Sequence, residues 1–148
     1  ELRAQIELAL RQVPQISHLS CHMVFSRLDP GLHILCEQLA AEYKLLTEDT
    51  GFDWFRGWGS DVKPENRIEA FCENLEQLKP GDYFFLDHPA KDDGEMQTVG
   101  HKGYENVAVD REWVTRVFTS EKVTEIIRRK NIKLISYADL ATNLKKNE

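Results

Sequence analysis

The chain lacks the cysteine pattern of a disulfide frame or a structural zinc site. Cys21, Cys36 and Cys72 are an odd number, and none stands in a C-x-x-C spacing. A reducing compartment, the cytoplasm, is the simpler expectation. No apolar run approaches the roughly 18 residues that a membrane-spanning helix needs, and no signal-peptide pattern opens the chain. Basic charge is also in short supply: 19 Lys and Arg against 25 Asp and Glu leave a net of −6. A protein that grips a phosphate backbone would carry a basic face instead. The basic clusters that do occur, Arg128-Arg129-Lys130 and Lys145-Lys146, fall near the ends of predicted helices, where the helix dipole and solvent suit them. Neither a nucleic acid nor a membrane is expected as a partner; a homodimer is left open.

What is present is enough for one domain with a core, residues 1–148, and short for two. Leu2, Ile6, Ala9 and Val13 recur at helical spacing until Pro14, which predicts a helix over 1–12. Ile16–Val24 reads as a first strand. Asp29-Pro30 is an N-cap and first-turn pair, and Leu32, Leu35, Cys36, Leu39 and Tyr43 form the stripe of a second helix. Lys44-Leu45-Leu46 is a short strand candidate. From Thr47 to Val62 the periodicity fails, with Gly51, Gly57 and Gly59 among Phe52, Trp54, Phe55 and Trp58. This is a long aromatic loop: packing over the sheet is one reading, and a lid whose Trp54 and Trp58 stack on pyranose rings is the other.

Pro64 opens a third helix with Ile68, Phe71, Leu75 and Leu78 inward, and Pro80-Gly81 turns it into a strand that ends at His88. A polar loop over 89–105 contains Asp92, Asp93 and Glu95, read as solvated. Helices over 108–119 and from the Ser120 cap to Lys130 follow, then a last strand Ile132–Ser136 and a helix from Asp139 to Lys146. The alternation predicts an α/β fold, a parallel sheet with helices outside it. Four strands are too few to close a barrel, and the first would leave an open edge, so the chain reads as a portion lacking its N-terminal strands. Its start at Glu1, inside or just before a helix, points the same way.

The chemistry-bearing residues sit at the ends of those strands. In His18-Leu19-Ser20-Cys21-His22 a strand puts residues 18, 20 and 22 on one face, and a helical turn would also bring both imidazoles to one side. Paired neutral nitrogen donors begin a divalent-metal site but do not complete one. Tyr83-Phe84-Phe85-Leu86-Asp87-His88-Pro89 delivers another His at a strand end. Cys21 would point away from the His pair into packing, and Asp87 to the opposite face. His33 and His101 read as helix-face and loop residues. Arg111 could hold a carboxylate or a substrate oxygen, or serve capping and i,i+4 pairing in Asp110-Arg111-Glu112.

With these segments in place, the chain resembles the YdjC-like (ChbG) carbohydrate deacetylases along nearly its whole length. An E-x-x-x-Q-I-like helix before a strand ending T-H-x-D-S-H is matched by Glu1-Leu2-Arg3-Ala4-Gln5-Ile6 and Ser17-His18-Leu19-Ser20-Cys21-His22. A helix ending L-A-x-E-Y is matched by Leu39-Ala40-Ala41-Glu42-Tyr43, and a P-G and HP strand by Pro80-Gly81 and Asp87-His88-Pro89. The closing pattern is matched by Arg111 and by Asn131-Ile132-Lys133-Leu134-Ile135-Ser136-Tyr137-Ala138-Asp139-Leu140.

The resemblance implies an irregular TIM-like (β/α) barrel, of which this chain would be the C-terminal half to two-thirds. It implies a metal-dependent hydrolase that removes acetyl groups from N-acetylated sugars or oligosaccharides. His22 is implied as a ligand of a divalent ion, magnesium or zinc, His18 as lining the site, and His88 as the catalytic acid or leaving-group contact. The remaining ligands, an Asp and another His, would lie upstream of Glu1. In this mechanism a bound ion lowers the pKa of a water and polarises the acetyl carbonyl. Imidazole exchanges protons near neutral pH, which suits His88 to protonate the departing amine. The chain departs from the pattern at Ser20, where the family commonly has Asp; a Ser supplies only a neutral hydrogen bond. That departure keeps a rival reading open, a carbohydrate-binding or scaffolding domain without catalysis.

Overall fold

The computed structural model describes residues 1–48 and 50–146, with the backbone alone from 143 onward. It divides into two compact units, one made of Glu1–Gly51 with Leu134–Glu148, the other of Phe52–Lys133.

In the first unit, α1 (Leu2–Gln12) ends where Pro14 ends its periodicity, and Ile6 is its buried residue. His18 forms a single parallel bridge to Leu46, closed by Leu19 N–H to Leu46 O at 2.8 Å and Leu46 N–H to Ser17 O at 3.0 Å. A kinked 3-10 segment, His22–Arg27, follows. The helix α2 (Pro30–Tyr43) starts on Asp29, whose carboxylate accepts from the N–H groups of Gly31 and Leu32 at 2.7 and 3.3 Å. Proline at the first helical position suits that cap. Lys44, left-handed at φ 56°, closes the helix. The core joins Ile6, Leu39 and Leu45, flanked by Leu2, Leu10, Ile16, Leu19 and Tyr43. At its rim Arg3 pairs with Glu42, and Tyr43 donates to Glu7 at 2.7 Å. The helix α6 (Tyr137–Lys146) belongs to this unit.

In the second unit, β1 (Asp53–Trp54) pairs in parallel with β2 (Tyr83–Phe84), in register Asp53 to Tyr83 and Trp54 to Phe84. A 3-10 turn at Pro64–Asn66 leads into α3 (Arg67–Gln77). After β2 come a 3-10 turn at Met96–Thr98, then α4 (Val107–Phe118) and α5 (Glu121–Arg129). Phe55, Phe71, Leu75, Val117, Val123 and Ile126 form the core, and Trp58 and Phe85 pack against it. The rings of Phe55, Phe71 and Phe85 meet edge to face at 5.2–5.7 Å, an arrangement that aromatic quadrupoles favour.

These two units overturn the expected α/β barrel. The chain is mostly helical, 53%, and among the described residues there are two short parallel strands in one sheet. A barrel strand needs a ladder on both edges and cover on both faces. Leu134 and Ile135 of the expected last strand are instead 73% and 41% exposed, and Leu86 of the expected His88 strand is 46% exposed. Ile16–Val24 forms no strand beyond the single His18–Leu46 bridge, which is also all that Lys44–Leu46 contributes, and the strand expected to reach His88 ends at Phe84. The aromatic segment read as loop supplies β1. Short apolar runs do not separate a strand from extended chain laid on a core.

Candidate functional site

The first unit gathers a polar cluster around His18. Its imidazole, half-buried, stacks on Tyr137 with ring centroids 3.9 Å apart and planes 7° from parallel. Tyr137 is seated by a reciprocal cap: the Ser136 N–H and hydroxyl donate to Asp139 Oδ2 at 2.8 and 2.7 Å, and the Asp139 N–H donates back to Ser136 Oγ at 3.2 Å. That is the capping-box logic with Asp in the acidic position. Burial holds the His18 imidazole below its ordinary range, and the Glu48 carboxylate pulls it back up. Burial pushes the Tyr137 phenol up, and Glu48 adds to the rise.

Glu48 is the hub of this cluster. Its Oε1 accepts from the Ser20 hydroxyl and from the Cys21 N–H, the latter at 2.9 Å. The Cys21 thiol lies 3.9 Å from the Cys36 thiol, sulfur to sulfur. Burial pushes the Cys36 thiol up to about 11, with Cys21 adding to it. Cys21 is thus set against α2 rather than on the far face of a strand. His22 is exposed at the start of the kinked turn, where Met23 and Val24 adopt φ of 53° and 50°. The strand alternation that would have aligned His18, Ser20 and His22 does not extend to His22.

The second unit carries the other expected site residues. His88 is exposed, four residues beyond β2, and its N–H donates to Asp87 Oδ1 at 2.7 Å. The chain after it is fastened to α4: Ala90 N–H donates to Arg111 O at 3.3 Å, and the Thr115 hydroxyl donates to Ala90 O at 2.8 Å. This places His88 two residues from a backbone contact with half-buried Arg111. Trp54 is 61% exposed, with its ring edge-on to Phe84. Trp58 instead packs against Phe71 and Phe85, with the Arg67 guanidinium 5.0 Å from its ring centroid. Arg67 in turn pairs with Asp110 Oδ1 and donates to the Asp110 carbonyl at 2.9 Å, while Tyr104 donates to Asp110 Oδ2 at 2.6 Å. Burial pushes the Tyr104 phenol up, and Asp110 does the same while Arg111 opposes them. Asp110 is an ion-pair partner and not a cap, whereas Glu112 does pair with Arg116 at i,i+4, 3.0 Å.

Sequence reasoning missed Glu48 and the Arg67–Asp110–Tyr104 set. Their partners are 27 and 43 positions away in the first two cases, beyond any local signature. Tyr137 lay inside a stretch already singled out, with no sign that its ring would face His18.

Among the described residues, no three His, Cys, Asp or Glu side chains come together to hold a metal ion. With His22 exposed, the described residues do not fit a divalent-metal centre. Comparison with family models, curated proteins and solved structures gives no match to this chain.

Proposed function

We propose that the protein acts on N-acetylated sugars or oligosaccharides as a carbohydrate deacetylase, in line with its resemblance to the YdjC-like family. The observation that carries this reading is the His18–Tyr137 stack. It joins the His-x-Ser-x-His and Ser-Tyr-x-Asp-Leu stretches, two of the matched patterns, from opposite ends of the chain.

In the proposed reaction water attacks the acetyl carbon, the amide C–N bond breaks, acetate leaves and the sugar nitrogen takes a proton. His88 delivers that proton, and Arg111 orients a substrate oxygen. Trp54 offers an exposed flat surface to a sugar ring. The three free thiols fit a reducing compartment. No helix among the described residues is long and apolar enough to cross a membrane.

The test is acetate release from N-acetylated chito-oligosaccharides, with added magnesium or zinc and with chelator, beside His88→Ala. The expected result is release that His88→Ala lowers by about a hundredfold or more. Sugar binding without release in the metal-supplied wild type would replace the deacetylase with a carbohydrate-binding domain.

A further inference from the structure

Between His18 and His22 the backbone changes hands. The bridge to Leu46 holds the chain as far as Leu19, whose N–H donates to Leu46 O at 2.8 Å. At the next two positions the partner becomes Glu48: the Ser20 hydroxyl and the Cys21 N–H both donate to its Oε1. Directly after that, Val24 N–H closes on Cys21 O at 2.9 Å, and the chain turns through two left-handed residues. A single carboxylate oxygen, on half-buried Glu48, therefore holds the two residues that lead into the turn carrying His22.

We propose that Glu48 is the positioning residue for His22. By holding the Ser20 hydroxyl and the Cys21 N–H on one oxygen, it sets the direction in which the His22 imidazole leaves the backbone. The consequence for catalysis rests on the deacetylase reading; the positioning itself does not.

Glu48→Ala and Glu48→Gln in the full chain test this through the imidazole NMR signals of the five histidines, Cys21 amide exchange, and kcat and KM for acetate release. In Glu48→Ala the Cys21 amide is expected to exchange at least about tenfold faster. The His22 signal should move while those of His33, His88 and His101 stay. Acetate release should lose about tenfold or more in kcat with KM within about twofold. Glu48→Gln keeps an acceptor and loses the charge, so it should hold the Cys21 amide and the His22 signal. A His22 signal unmoved in Glu48→Ala, with the Cys21 amide set free, would reduce Glu48 to an ordinary structural contact and overturn the proposal. If Glu48→Ala does not fold, Glu48→Gln decides, and a Cys21 amide set free there with the His22 signal unmoved overturns it as well. A wild type that releases no acetate sinks the deacetylase reading, and the imidazole signals still judge Glu48.

Discussion

Val24 places a β-branched side chain at φ 50°, next to Met23 at φ 53°. Left-handed backbone brings Cβ against the carbonyl oxygen and is disfavoured by roughly 1–2 kcal/mol per residue outside glycine. Val24 is 50% exposed, so trimming it forfeits little burial. Val24→Gly should therefore raise stability by about 1 kcal/mol, read as a higher denaturation midpoint. At Gly57 the sign reverses. A Cβ there would meet the Phe71 ring at 2.6 Å and the Phe85 ring at 2.9 Å, both held in the core. Gly57→Ala should cost about 1–3 kcal/mol by overpacking. His18 carries a pH dependence. Burial holds its folded pKa below the ordinary 6.5, so on acidification the unfolded chain takes up the proton first. Its contribution is complete above about pH 6.5 and is lost as pH falls from there through the depressed folded value. Denaturation followed by circular dichroism at neutral and mildly acidic pH should show the loss, and His18→Phe, which keeps a stackable ring, should remove that part of it.

Among the elements, α2 can be tested at its first turn. Asp29 satisfies two orphan N–H groups, so Asp29→Ala should cost about 1 kcal/mol. This was visible in the sequence because a cap, a first-turn proline and a 3.6-residue stripe are all local. The same holds for α1, α3 and α5, each found within a few residues of its expected bounds. Strands were not legible in this way. Ile132–Ser136 has the composition of a strand, yet pairing depends on a partner that composition cannot supply, and Leu134 faces solvent. Conversely, Asp53–Trp54 sits among glycines and looks like loop, but Asp53 N–H finds Asp82 O at 3.1 Å and Phe55 N–H finds Phe84 O at 3.0 Å. The candidate site divides along the same line. His18, Ser20, His22 and His88 were named from residue type and spacing. Glu48 owes its role to the turn that brings it under Ser20 and Cys21, a contact made 28 and 27 positions away.

For the molecule as a whole, chain order matters as much as composition. The first unit is assembled from both ends of the polypeptide, and the second is the continuous stretch Phe52–Lys133 between them. Phe71 centres the second core, where it is 6% exposed and meets Phe55, Trp58 and Phe85. Phe71→Ala should remove about 3–5 kcal/mol from that unit. All three tryptophans, Trp54, Trp58 and Trp113, fall inside that same stretch. Indole emission excited at its red edge therefore samples the inserted unit, while the unit bearing His18 and His22 is dark at that wavelength. A fluorescence melt and a circular-dichroism melt of this protein are thus measurements of different objects. Where the two curves coincide the halves unfold together, and where they part the gap is the stability of one half against the other.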